Sequence, residues 1–154
     1  ELADQVLADG AGRWCRVEEL IEFAARAGAR TLGLIFCSGL REEARALYQV
    51  LEINGFRVLS LQCKSGAVPK EEMGILDSQK IRPGNPEMMC NPLAQAKVLN
   101  DHGTDLNVVM GQCTGHDTAS IALSGPLTVS LVVKDRVLAH NTVAELYYRA
   151  AHQI

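Results

Sequence analysis

The chain is poor in aromatics, with one Trp, three Tyr and three Phe among 154 residues. It also lacks any excess of positive charge: 15 Lys+Arg stand against 18 Asp+Glu, a net charge of −3. That balance excludes the broad basic face on which nucleic-acid binding depends. No apolar run approaches the ~20 residues of a membrane-spanning helix. No basic region followed by an apolar stretch opens the chain, so neither membrane insertion nor an export signal is expected, and a cytoplasmic protein is. Glu1 rather than Met stands first, the mark expected of a processed or trimmed product. With 47% hydrophobic and 21% charged residues, the composition excludes a disordered chain and a coiled coil.

Several catalytic signatures are missing as well. There is no GxGxxG after the first apolar strand, hence no dinucleotide fingerprint, and no GxxxxGK[ST] phosphate loop. No Ser occupies a GxSxG elbow. Cys37-Ser-Gly-Leu-Arg41 resembles a phosphatase loop only superficially, because its Cys-to-Arg spacing is too short.

What stands out is cysteine. Cys15, Cys37, Cys63, Cys90 and Cys113 make five, an odd number, in a chain long enough to bury a core without disulfides. Bound metal, a reactive thiol and plain core packing are the three readings left, and no CxxC knuckle decides among them.

The hydrophobic pattern alternates between strands and helices. Residues 1–13 read as an N-terminal arm or helix, and Arg16 to Ala27 as a helix ended by Gly28. Thr31–Cys37 reads as a buried strand, Leu40–Asn54 as a helix, and Phe56–Gln62 as a second strand, a right-handed βαβ unit. Lys64–Met89 is broken by Gly66, Pro69, Gly74, Pro83, Gly84 and Pro86. It is expected as a long loop over the carboxyl rim of the sheet, with one turn at Lys70–Gly74. Asn91 then fits a helix N-cap and Pro92 the first helical position. Asp105–Met110 is a third strand, followed by a short helix capped by Thr114 or Asp117. Leu127–Val133 is a fourth strand, and a last helix runs from Val143 to about Ala151. Residues 1–154 are therefore expected to form a single α/β domain, a three-layer doubly wound (Rossmann-like) mostly parallel sheet of about four strands with helices on both faces.

In such sheets ligands bind beyond the carboxyl ends of the strands. Cys37 and Cys63 end the first two strands, and Cys113 lies just past the third. Cys90 begins the helix leading back to the sheet from the same side. Four of the five cysteines thus map to one rim, and Cys15 stands apart. Four thiolates on separate loops suit zinc or an iron–sulfur cluster, and a helix N-terminus lowers thiol pKa, favouring ligation and nucleophilicity alike. Cys113 and His116 form a second constellation, able to share a metal or to act as nucleophile and base. Asn91, Asp117, Lys134, Asp135 and His140 lie near the same rim and are candidates for binding a cofactor or an anionic ligand. His102 and His152 sit at helix ends and read as structural.

Arg16–Ala24, Ile35–Cys37 with Gly39–Ala44, Cys90–Ala96 with Leu99-Asn100, Gly111–Asp117 and Val133–Asn141 together carry a family resemblance. From about Trp14 onward the chain resembles the uncharacterised metal-binding proteins of domain-of-unknown-function family 1847, from anaerobic bacteria and archaea. The resemblance implies a metal site at Cys37, Cys63, Cys90 and Cys113, with the His-Asp and Lys-Asp pairs beside it. Cys15 falls outside these motifs. Members usually carry a further cysteine-rich segment before this domain. None is present here, so a site built partly from that segment is expected to be absent or incomplete. Three functions fit these residues: a metal-binding protein, a thiol-dependent enzyme or small-molecule-binding domain using Cys113 and His116, and a partner-binding domain with buried structural cysteines. Dimerisation through an edge strand or an outer helix is compatible with each.

Overall fold

A computed structural model of the chain describes residues 1–152. Four strands, β1 (Thr31–Phe36), β2 (Arg57–Gln62), β3 (Leu106–Gln112) and β4 (Leu127–Val133), form one sheet in the order β2-β1-β3-β4, every pair parallel. Helices α1 (Leu2–Gly10), α2 (Arg16–Arg26), α3 (Arg41–Ile53), α4 (Pro92–Asp101), α5 (His116–Leu123) and α6 (Thr142–His152) complete the fold. The expected α/β class holds, and the sheet is wholly rather than mostly parallel.

Burial follows sheet position. All seven residues of β3 and the first five of β1 are buried, whereas the outer strands β2 and β4 are only partly covered. Central parallel strands have helices on both faces and need apolar side chains throughout. On one face, Leu32, Leu34, Val58, Leu106 and Val108 pack against Leu20 and Ala24 of α2 and Leu47 and Leu51 of α3. On the other, Ile35 and Val109 meet Leu99 of α4, and α5 lies beside α4. Each fully buried Leu, Ile or Val side chain contributes about 1.5–3 kcal/mol. Gly33 keeps the second face closed, since a Cβ there would strike the Asn107 amide and the Leu99 methyl.

Two irregularities position the carboxyl rim. Strand β3 shifts register against β4 between Val109 and Gln112. Gly111 sits at φ 64°, a left-handed conformation that favours glycine, with Leu40 against the position its Cβ would take. This bulge sets the direction in which Gln112 and Cys113 leave the sheet. The segment between β2 and α4 is more ordered than its Pro and Gly content suggests. It contains 3₁₀ turns at Lys70–Met73 and Asp77–Gln79, and Pro69 bridges Met88 in antiparallel fashion. Lys80, its side chain 4% exposed, binds Glu71 and, at 2.9 Å, Asp77, so the strap is braced from within.

The short helix α5 departs from expectation at its start. Gly115, not Thr114 or Asp117, is its N-cap residue. Asp117 instead accepts from the Gly115 and Thr118 N–H groups at 3.0 and 2.8 Å.

Candidate functional site: a cysteine cleft at the switch point

The chain leaves β1 toward one face of the sheet and β3 toward the other. The strand order therefore reverses between these neighbours, where doubly wound sheets open a crevice. A cleft of about 530 Å³ lies there, and Cys37, Cys63, Cys90 and Cys113 all line it. Strand ends deliver Cys37 and Cys63, the strap delivers Cys90, and the β3 bulge delivers Cys113. Cys37 and Cys63 are buried, and Cys90 and Cys113 are half-buried. Cys15 is exposed at the N-cap of α2, where its N–H donates to Glu18 at 2.7 Å, and it does not line the cleft.

The sulfurs are not left bare. The Cys63 and Cys90 sulfurs stand 3.8 Å apart. Ser38 N–H donates to Cys63 Sγ at 3.4 Å, Lys134 Nζ to Cys37 Sγ at 3.1 Å, and an Arg136 guanidinium N–H to Cys113 Sγ at 3.1 Å. The Cys63 thiol acts oppositely on its two neighbours. Its hydrogen bond and burial push the Cys37 thiol up to about 12, against the Gly39 N–H and Lys134. The hydrogen bond between Cys90 and Cys63 instead brings Cys90 down to about 7, against its burial.

Beneath the rim runs a buried polar chain. Ser120 Oγ donates to Gln112 Oε1 at 2.7 Å, and Gln112 Nε2 to Gln95 Oε1 at 2.6 Å. Gln95 Nε2 in turn donates to the carbonyls of Leu61 and Phe36 at 2.6 and 3.3 Å. Leu61 and Phe36 closely precede Cys63 and Cys37, and Cys113 follows Gln112. The chain therefore ties three cysteine-bearing segments to α4 and α5. Nothing local in the sequence pairs these residues.

The other sequence candidates separate into two groups. Lys134 reaches the cleft. Asn91 caps α4, accepting from Ala94 N–H at 2.9 Å, and its own N–H donates to the Cys63 carbonyl at 2.7 Å. Asp135 and His140 form a turn, in which Asp135 accepts from Val137 and Leu138 N–H and donates its own N–H to His140 Nδ1 at 3.0 Å. His116 does not line the cleft, and among the described residues its ring makes no hydrogen bond to Cys113. The group that meets the Cys113 sulfur is Arg136, which sequence reasoning missed. A basic residue two positions past Lys134, in the turn that follows β4 at the same rim, was the signal that could have found it.

The thiol donor set suits soft metals in its chemistry. Two thiolates on one tetrahedral zinc, with bonds of about 2.3 Å, lie about 3.8 Å apart, which is the spacing of Cys63 and Cys90. Approach of the sulfurs is pairwise, however. Among the described residues no three His, Cys, Asp or Glu side chains converge closely enough to hold an ion as they stand. No helix among them is long and apolar enough to cross a membrane.

Fold and site together define a doubly wound α/β protein with a thiol-lined switch-point cleft. The chain belongs to the family described as a protein of unknown function, DUF1847, whose model matches residues 1–131. It is 42% identical over 132 residues to an uncharacterised protein of Methanocaldococcus jannaschii, covering 86% of this chain and 66% of that protein. The chain thus spans just under two thirds of that relative's length. The family match includes all four cleft cysteines and stops before the Val133–Asn141 motif, which holds Lys134 and Arg136.

Proposed function

We propose that this is a cytoplasmic metal-binding protein in which Cys37, Cys63, Cys90 and Cys113 hold one zinc ion or iron–sulfur cluster. The observation that carries this reading is the set of N–H donors from Ser38, Lys134 and Arg136 aimed at three of the sulfurs. Buried or half-buried thiolates need such partners, and hydrogen bonds around a thiolate site orient the ligands and tune the metal. Bound there, the group supplies a cross-link among four segments or, as a cluster, a one-electron couple. The chain's own residues do the rest. Lys134 and Arg136 offset the thiolate charge, Ser38 orients Cys63, and the strap carrying Cys90 covers the cleft.

Elemental analysis and a visible spectrum of anaerobically purified protein test the reading. About one zinc per chain, or iron with sulfide and thiolate-to-iron bands, is expected. Metal-free protein with four freely titrating thiols would overturn it.

A second reading rests on Cys90, half-buried in the cleft with its thiol lowered to about 7. Such a thiol is a nucleophile at neutral pH. This reading takes the place of the Cys113–His116 pair, and fast alkylation of Cys90 alone in the as-purified protein would favour it.

A further inference from the structure

We propose that the cleft also takes a compact dianion, a phosphate monoester or a dicarboxylate, held by Lys64 and Arg82 beside the thiolate site. The inference rests on the metal reading through its charge balance. Four thiolates around a zinc ion, or around an oxidised iron–sulfur core carrying two positive charges, leave two negative charges. Lys134 and Arg136, hydrogen-bonded to Cys37 and Cys113, offset those two. Lys70 meets Glu87 at 3.2 Å, so that pair is neutral. Lys64 and Arg82 remain on the cleft wall, with no ion pair to a carboxylate among the described residues. Lys64 is half-buried in the wall and Arg82 is exposed at the mouth, so both are open to a ligand entering the cleft.

The surplus lies where it can be used. Its place is the switch point, where open α/β sheets bind ligands, and about 530 Å³ is room for a small molecule. Arg82 follows the anchor Lys80 by two residues, and Lys80 is held by Glu71 and Asp77. The strap therefore presents the guanidinium on a braced backbone. A guanidinium fork matches the paired oxygens of phosphate or carboxylate, and a lysine adds a point charge. Lys64 follows Cys63 directly in the chain and lines the same cleft as Cys90, Arg82 and Glu87.

Calorimetric titration of the full, metal-loaded chain with inorganic phosphate, with malonate and with acetate tests this. One site per chain is expected for phosphate or malonate, whichever is tighter naming the source, with acetate much weaker. The K64A/R82A double variant should bind at least tenfold more weakly while keeping its metal and its circular dichroism spectrum. K97A, which removes an exposed α4 lysine paired to Asp101, should bind as the parent does. No dianion binding, equal binding by the double variant, or acetate as tight as malonate would each overturn the inference. Elemental analysis of the same samples separates the two readings. Metal-loaded protein that ignores both dianions defeats this inference alone. Metal-free protein that binds them through Lys64 and Arg82 defeats the metal reading alone, and metal-free protein that binds neither defeats both.

Discussion

Cys37 and Cys90 share a neighbour, Cys63, and that neighbour drives them in opposite directions. Cys37 is buried beside Cys63 and pushed up to about 12, while Cys90 is brought down to about 7. Thiolate, not thiol, is the species that alkylates or ligates. In metal-free protein, Cys90 alkylation should therefore rise as pH climbs through about 7, with Cys37 reacting well after Cys90 at every neutral pH. Peptide mapping after short iodoacetamide pulses at a series of pH values measures this order, and Cys37 reacting ahead of Cys90 would contradict it. In metal-loaded protein the Cys90 reaction should be suppressed. At this scale the sequence was informative about the cysteines, because their positions at strand ends follow from hydrophobic pattern alone. It was silent on Arg136, whose role depends on a contact with Cys113, and misleading on His116, which is near Cys113 in sequence without sharing the cleft.

Between elements, the Ser120–Gln112–Gln95 chain ties the strand ends at the rim to α4 and α5. Gln95 is 1% exposed and Gln112 2%, so neither amide has water as an alternative partner. Replacing Gln95 by Leu leaves the Gln112 amide and the Leu61 carbonyl without partners, at about 1–3 kcal/mol for an unsatisfied buried group. Urea unfolding of Gln95→Leu should show a loss of that order, and an unchanged midpoint would mean the chain does not anchor the rim. The elements divide by how local their causes are. Asn91-Pro92 announces the start of α4, because cap and first-turn preferences act within a few residues. The Gln95–Gln112 bond joins residues 17 apart on different elements, and no periodicity reveals it. The strap misled for the complementary reason. Its Pro and Gly residues break helix and strand patterns, yet the Pro69–Met88 bridge and the Lys80 anchor order it through contacts across its own ends.

Over the whole molecule, an all-parallel sheet and a switch point bring four distant cysteines to one cleft, and the β3 bulge turns the last of them inward. The helix α6 stands outside this plan: it buries no residue, and Leu146, Tyr147 and Tyr148 are exposed. The four-thiol cleft lies within the residues matched to the family, so the central claim concerns a feature that the family model spans. The most direct test is X-ray absorption at the metal edge of anaerobically purified protein. The expected result is a first shell of sulfur alone at about 2.3 Å, four thiolates for zinc. A shell of nitrogen or oxygen, or no bound metal at all, would contradict the claim that these cysteines hold a metal.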